Sequence, residues 1–306
     1  MWLINTDTLT LEEVTDPFSY SYAILSHTWN SDEITFQDIR SSGRRDVERR
    51  TGSSKLAKTC EIARQRGLQY AWVDSCCIDK SSSAELSEAI NSMFAWYQHS
   101  KVCFAFLSDL PPLDSNDTTS MESFPYSEEA FRRCRWFTRG WTLQELIAPK
   151  DIEFFNSEWA QVCRKADCLD VLSSITGISY PVLQDSSNLR HTPVAVKMSW
   201  AASRKTKRIE DGAYSLLGIF DINMPMIYGE GHKAFRRLQE EIARETNDLS
   251  LFAWRAPRST EGQSQIFRGL FARSLSEFSS CATITKSGIR HDTQQEFSLT
   301  NKGVRI

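Results

Sequence analysis

Short apolar runs of the kind that form buried strands alternate with helical patterns over the first half of the chain. A repeated succession of strand, helix and strand is typical of parallel βαβ units, so the pattern predicts an α/β fold, a parallel sheet flanked by helices. Apolar residues spaced three and four apart mark the helices. The predicted strands are 22–26, 70–74, 101–107 and 151–155, and the predicted helices include 55–66, 84–99 and a third around 141–145 that ends before Pro149.

The pattern changes after about residue 160, which divides the chain into three predicted parts. Residues 1–160 form the α/β domain, residues 161–250 a helical C-terminal extension, and residues 251–306 a short β-containing tail. The chain ends within β-type sequence, from which we expect a longer natural protein. The predicted helices of the extension are 194–203, 210–220 and 231–245, and the predicted strands of the tail are 282–285 and 296–300.

The composition is that of a soluble globular protein, with 41% hydrophobic and 25% charged residues among 306. A net charge of -3 gives no electrostatic reason to expect a nucleic-acid partner. The N-terminus has no secretory pattern, and no run reaches the ~18 apolar residues of a membrane span, so we expect a cytoplasmic protein. Eight cysteines without a Cys-x-x-Cys pair, together with five scattered histidines, favour reduced thiols and no metal site.

Polar side chains follow three of the predicted strands at their carboxyl ends. Parallel sheets bind ligands beyond these ends, near the point where the strand order reverses. Ser26 and His27 end the first strand, with Trp29 two residues later, whereas Asp74 ends the second and Ser108 follows the third. His27 can bond a phosphate or a ribose, and Trp29 can stack on a base. Both can equally pack as structural residues of the loop, and Asp74 can cap the next turn.

The segment Arg139-Gly-Trp-Thr-Leu-Gln-Glu145 carries a second group of candidates. On a helix, Trp141 and Glu145 are four residues apart and share a face, which puts an indole beside a carboxylate. In such a pair the indole can stack on a planar ring, and the carboxylate can accept a hydrogen bond from a sugar hydroxyl. Arg139 can bind a pyrophosphate through two hydrogen bonds. The structural alternative is a core tryptophan beside a surface glutamate.

Cys76 and Cys77, taken with His27 and Asp74, permit a further interpretation as a cysteine hydrolase. A nucleophilic thiolate needs a base within hydrogen-bonding reach and surroundings that lower its pKa. Adjacent cysteines at the end of a strand are more often buried packing residues, which is the alternative interpretation.

Three blocks of the sequence resemble fungal heterokaryon-incompatibility (HET) domains in content and in order. HET domains trigger regulated cell death when fungal cells of incompatible genotype fuse. They are thought to be distant relatives of TIR (Toll/interleukin receptor) domains, which have a flavodoxin-like fold. The three blocks are Tyr22-Ala-Ile-Leu-Ser-His-Thr-Trp29 with Ile34-Thr-Phe-Gln-Asp38, Trp72-Val-Asp-Ser-Cys-Cys-Ile-Asp-Lys80, and Arg139-Gly-Trp-Thr-Leu-Gln-Glu-Leu146.

The resemblance implies a TIR/flavodoxin-like sheet and an activity. Many TIR domains cleave NAD+ at the nicotinamide–ribose bond with a helix glutamate in a Trp-x-x-x-Glu arrangement, which Trp141 and Glu145 match. We therefore expect NAD+ or a related nucleotide as substrate, no cofactor, and a homo-oligomer controlled by an upstream sensor domain or protein. The expected role is that of a cell-death effector in heterokaryon incompatibility or innate immunity. The alternative is a non-enzymatic, self-assembling death-signalling or interaction module. The expected catalytic residue is Glu145, and the expected substrate-binding residues are Ser26, His27, Trp29, Asp74, Arg139 and Trp141.

Overall fold

The computed structural model of the protein describes residues 1–41, 53–113, 126–256, 269–285, 298–300 and 303–305. The chain separates into two compact units, Met1–Ser186 and Ser187–Ile306. The first unit extends beyond residue 160, the predicted end of the α/β domain. It does so because the next strand, Gln161–Arg164, pairs with an edge of the sheet.

The first unit is built around a seven-stranded mixed sheet. Its strands are β1 (Trp2–Asn5), β2 (Leu11–Glu13), β3 (Tyr22–His27), β4 (Tyr70–Trp72), β5 (Val102–Phe106), β6 (Ile152–Phe155) and β7 (Gln161–Arg164). They lie in the order β2-β1-β4-β3-β5-β6-β7. The four central strands, β4, β3, β5 and β6, are parallel to one another, and antiparallel strands flank them on both sides. The predicted α/β class is confirmed.

The central strands are apolar because helices cover both of their faces. Every residue of β3 and of β5 is buried, as expected for parallel strands inside an α/β domain. The four predicted strands are confirmed, with β4 and β5 each two residues shorter than expected. The antiparallel strands β1, β2 and β7 have no clear signal in the sequence, because three or four residues are too few to show a period.

The helices of the first unit confirm the predicted alternation. They are α1 (Phe36–Ser41), α2 (Ser53–Gln65), α3 (Ser83–His99), α4 (Glu128–Arg132), α5 (Thr142–Ile147), α6 (Leu169–Thr176) and α7 (Tyr180–Gln184). Ser82 caps α3 by accepting a hydrogen bond from the amide of Glu85. Gly67 follows α2 with a φ of 73°, a left-handed conformation that favours glycine at the end of a helix.

The two faces of the sheet can be told apart at β6. Consecutive residues of a strand point to opposite faces. Phe154 packs edge-on against Trp136, with ring centroids 5.6 Å apart. Glu153, its neighbour, is bound by Arg66 just after α2. The end of α2 and the segment that contains Trp136 therefore lie on opposite faces.

The described part of the second unit contains helices and one hairpin. They are α8 (Val194–Ala201), α9 (Asp211–Tyr214), α10 (Leu217–Phe220), α11 (Lys233–Glu245), β8 (Ser298–Thr300) and β9 (Gly303–Arg305). The predicted helix 210–220 is thus two short helices, and the predicted strand 296–300 is confirmed at β8, with residues 296 and 297 outside the described ranges. The predicted strand 282–285 is wrong, because the amide of Ile284 donates to the carbonyl of Cys281 in a turn.

All eight cysteines are buried and form no disulfide. Within the described ranges, no helix is both long and apolar enough to cross a membrane. In the same part of the chain, no group of three or more His, Cys, Asp and Glu side chains is placed to hold a metal ion.

Candidate active site

The strand order of the sheet reverses between β3 and β5. From β3 the chain crosses to β4 on one side and then returns to β5 on the other. In α/β sheets, ligands bind at the carboxyl ends of the strands on either side of such a reversal. Because β3 ends at His27 and β5 at Phe106, this position coincides with candidates predicted from the sequence.

Ser26 joins the end of β3 to the helix that carries Glu145. The serine is fully buried, and its hydroxyl donates a hydrogen bond to the Glu145 carboxylate. The same oxygen accepts a 2.8 Å hydrogen bond from the indole Nε1 of Trp136. An indole N–H can only donate and a carboxylate can only accept. Trp136 therefore donates to Ser26, and Ser26 in turn donates to Glu145.

The start of α5 is held against the segment that contains Trp136. The hydroxyl of Thr142, the first residue of the helix, donates to the carbonyl oxygens of Trp136 and Arg139. Glu145 lies in the first turn of α5, where the partial positive charge of the backbone amides favours a carboxylate. Local interactions thus direct Glu145 toward the end of β3.

Glu145 lies in the interior of the unit and is 5% exposed. Burial raises the pKa of Tyr97 and of Cys103 well above their ordinary values, and the nearby charge of Glu145 raises both further. A second negative charge is unfavourable next to an existing one. Both groups therefore stay neutral beside the carboxylate.

His27 projects from the face of β3 opposite to Ser26. In the described structure neither nitrogen of its buried ring has a hydrogen-bond partner. The Nε2 atom lies 3.5 Å from Asp74 Oδ1 and 3.9 Å from Glu33 Oε2. Burial lowers the pKa of His27 to about 3, although the negative charge of Glu33 acts in the other direction. The imidazole is therefore neutral near pH 7 and presents one donor and one acceptor.

Trp29 and Asp74 are in direct contact. The indole Nε1 of Trp29 donates a 2.8 Å hydrogen bond to Asp74 Oδ2. The Lys80 ammonium lies 3.7 Å from the centroid of the Trp29 ring, in a cation–π contact. Burial raises the pKa of Asp74 and lowers that of Lys80, and the attraction between the two charges opposes both shifts. One face of the Trp29 ring is thus occupied by Lys80, and stacking on a base would use the other.

The last two candidates precede Glu145. Trp141 is the N-cap residue of α5, has helical backbone angles and is partly exposed. The positive charge of Arg139 contributes to lowering the pKa of His27 and opposes the rise in the pKa of Asp74, which places it near them. The structure thus arranges the candidates in two groups, Ser26 with Glu145 and Asp74 with His27, Trp29 and Arg139.

The sequence did not predict two residues that position these two groups of side chains, Trp136 and Lys55. Trp136 lies in a 3₁₀ turn, Arg135–Thr138, outside any helical or strand period. Lys55 on α2 pairs with Glu33 and donates a 3.0 Å hydrogen bond to the carbonyl of Thr28. A lysine on an amphipathic helix normally marks the solvent side, so the sequence carries no signal for this buried role.

The cysteine-hydrolase interpretation finds no support in the geometry. Cys76 and Cys77 are buried. Burial, assisted by contact with Cys76, raises the pKa of Cys77 well above its ordinary value. The backbone amide of Val73 donates a hydrogen bond to the Cys77 sulfur, which acts in the opposite direction without reversing the rise. A thiol held neutral in this way is a poor nucleophile.

Comparison with known proteins assigns part of the sequence to a family. Residues 22–120 match the family model described as heterokaryon incompatibility protein (HET). The chain is also 41% identical over 251 residues to vegetative incompatibility protein HET-E-1 of Podospora anserina. This chain carries a HET domain. The aligned region is 81% of this chain and 18% of the relative, so the chain spans less than a fifth of that protein.

The HET match contains one part of the candidate site and excludes the other. Ser26, His27, Trp29 and Asp74 fall inside residues 22–120, whereas Glu145 lies beyond them and is joined to the matched region by Ser26. Residues 233–305 match a domain of unknown function, DUF8212. No solved structure matches the chain.

Proposed function

We propose that this HET-domain protein is an effector of heterokaryon incompatibility that causes cell death by hydrolysing NAD+ to nicotinamide and ADP-ribose. The observation that carries the proposal is the hydrogen bond from Ser26 to Glu145. It holds a carboxylate at the end of β3, next to the reversal of strand order where α/β proteins bind ligands.

Glu145 is the group that acts on the sugar. The bond between C1′ of the ribose and N1 of nicotinamide breaks, and its electron pair stays with N1, so nicotinamide leaves as a neutral molecule. The remaining ribosyl cation resembles an oxocarbenium ion, and a fixed carboxylate beside it stabilises the charge. Water adds to C1′ and loses a proton, which gives ADP-ribose. NAD+ is the substrate, and the reaction needs no cofactor.

The second group of side chains binds the rest of the nucleotide. His27 supports this role because its neutral, buried ring has no hydrogen-bond partner among the described residues, and an unsatisfied polar group is costly to keep. Trp29 is partly exposed and offers one ring face. Asp74 and Arg139 supply opposite charges nearby, and Trp141 borders the start of α5.

The strand order supports a TIR-like relationship. When the four parallel strands are numbered along the chain, their order β4-β3-β5-β6 becomes 2-1-3-4, the order of flavodoxin-like sheets. TIR-type enzymes generally need assembly to complete their pockets. We therefore propose an active homo-oligomer in the cytoplasm, formed in response to an upstream sensor domain or protein.

One observation favours a second function, a self-assembling death-signalling module without enzymatic activity. Glu145 is 5% exposed, and a residue so buried serves equally well to hold α5 against β3. In that case the charge of Glu145 has no role in killing, and a neutral side chain that keeps the bond with Ser26 would preserve function.

Replacement of Glu145 by Gln separates the two functions. Glutamine keeps the size and an oxygen that accepts from Ser26, but it lacks the negative charge. Nicotinamide release from NAD+ would be measured on the purified chain at high concentration and after forced clustering. Glu88→Gln, an exposed position on α3, provides a matched control, and circular dichroism would verify that both variants fold.

The hydrolase proposal expects Glu145→Gln to lose at least about a hundredfold in turnover, the scale of a lost electrostatic stabiliser, while Glu88→Gln stays close to the natural chain. No turnover by the natural chain, even when clustered, would favour the signalling module. Unchanged cell killing by Glu145→Gln at equal expression would show that the catalytic assignment is wrong.

A further inference from the structure

Arg135 lies at the reversal of strand order but has no role in the site described so far. Its guanidinium Nη2 donates to the hydroxyl of Thr28, just after β3, at 3.2 Å, and to that of Ser108, just after β5, at 3.5 Å. The two hydroxyls are 3.4 Å apart. One arginine thus bridges the carboxyl ends of the two strands between which the order reverses.

This cluster and Glu145 lie on the same side of the sheet. Ser26 and Thr28 are two positions apart, and alternate residues of an extended chain project from one face. Consistently, Trp136 binds Ser26 while its neighbour Arg135 binds Thr28. Two residues of strand span about 7 Å. Ser26 and Thr28, the residues that contact the carboxylate and the guanidinium, are therefore spaced along the chain by a distance comparable to that from C1′ of a ribose to its 5′-phosphate.

The guanidinium of Arg135 is also able to accept a ligand. The side chain is 56% exposed. Asp109 accepts a 2.8 Å hydrogen bond from the Arg135 backbone amide, and its carboxylate lies 3.9 Å from the side-chain Nε, which orients the guanidinium. A guanidinium has five N–H donors in a planar fork that matches a phosphate. Two adjacent hydroxyls add donors of the kind that surround bound phosphates.

We propose that Arg135, with the hydroxyls of Thr28 and Ser108, binds the 5′-phosphate of the nicotinamide-bearing ribose. The C1′ atom of the same ribose lies next to Glu145. This inference rests on the proposed function, since it identifies how that site selects a nucleotide over a nucleoside. It makes Arg135 a binding residue with specificity for phosphate, and it assigns Arg135 no part in bond cleavage.

The test compares substrates with and without the phosphate. The substrates are NAD+, nicotinamide mononucleotide and nicotinamide riboside, which lacks the phosphate, and the variants are Arg135→Gln and, as a control, Arg133→Gln. Arg133 is exposed and pairs with Glu129 on the surface. We expect Arg135→Gln to lower kcat/KM for the two phosphorylated substrates by about ten- to a hundredfold, mainly through KM. The value for the riboside should change less than about twofold.

The failure of this inference differs from the failure of the hydrolase proposal. An equal loss for the riboside, or no loss for the mononucleotide, would overturn the phosphate site while turnover by the natural chain upholds the hydrolase. If the natural chain has no turnover, calorimetric binding of the mononucleotide and the riboside replaces the kinetics. Tighter binding of the mononucleotide than of the riboside, with the difference abolished by Arg135→Gln, would support the phosphate site but not the hydrolase proposal. Absence of that preference, or of any binding, would overturn the site.

Discussion

Ser26 and Glu145 are 119 positions apart in the sequence and are joined by a hydrogen bond from the serine hydroxyl to the carboxylate. The bond connects β3 to the first turn of α5, in the interior of the first unit. Because Trp136 donates to the same hydroxyl, Ser26 serves two buried polar groups at once. Its removal would leave one donor and one acceptor without this partner.

Ser26→Ala is expected to lower the free energy of unfolding by about 2 to 4 kcal/mol, since a buried polar group left unpaired costs roughly 1 to 3 kcal/mol. Urea unfolding of Ser26→Ala, Glu145→Ala and the double variant would measure the coupling, since alanine has no oxygen to accept from Ser26. We expect the two substitutions to be non-additive by at least about 1 kcal/mol, as for residues in contact. Additive effects would contradict the contact.

His27→Phe is expected to make stability less sensitive to acid. The folded-state pKa of about 3 lies below the ordinary 6.5, so the unfolded chain binds a proton first. The stability that the neutral His27 side chain contributes is fully present above pH 6.5 and is lost as the pH falls toward 3. Between pH 7 and pH 5 the loss amounts to about 2 kcal/mol. Denaturant unfolding at both pH values should show this difference between the chains, and equal pH dependence would refute it.

Lys165→Met is expected to change the alkaline side of the stability profile. Lys165 Nζ donates a 2.8 Å hydrogen bond to the carbonyl of Pro149, just beyond α5. Burial lowers its pKa from 10.5 to about 8. Stability linked to this group is complete above pH 10.5 and is lost as the pH falls through 8, because folding then requires burial of a charge.

From pH 7 to pH 9 the free energy of unfolding of the natural chain should therefore rise by about 1 kcal/mol relative to that of Lys165→Met. Guanidinium unfolding of both chains at these pH values gives the difference. Cysteines and tyrosines are common to both chains, so their titration cancels in it. A constant difference between the chains would mean that folding does not lower the pKa of Lys165.

Arg66 and Glu153 provide a test of the opposite face of the sheet. Two parallel hydrogen bonds of 2.7 Å join the guanidinium to the carboxylate, whose side chain is 5% exposed, and Arg164 lies 3.5 Å away. Arg66→Leu is expected to cost about 2 to 4 kcal/mol of unfolding free energy, because a buried charge loses its main partner.

The double variant Arg66→Leu with Glu153→Leu should recover at least half of that loss in thermal or denaturant unfolding, since no buried carboxylate remains. A double variant less stable than Arg66→Leu alone would show that the charge of Glu153 is satisfied without Arg66. Arg164 would then be the more important partner.

The sequence by itself determined the α/β class, the four parallel strands and the helices between them. These features depend on local regularities, such as the apolar run at residues 22–25 and the helical spacing within Ser83–His99. The resemblance in three ordered blocks also identified the HET family before any contact was known. The antiparallel strands β1, β2 and β7 were not predicted, because each has only three or four residues and is held by pairing with other strands, as Ile4 of β1 pairs with Ala71 of β4.

Only the tertiary structure decided which side chains meet at the end of β3. Helical spacing singled out Trp141 as the companion of Glu145, but α5 begins at Thr142, and the indole that reaches Ser26 is that of Trp136. Periodicity states which face of an element a residue occupies and says nothing about which other element packs there. The contact between Arg135 and Thr28 could not be predicted from the sequence either, because it spans 107 positions and arises from the packing of two segments on one sheet.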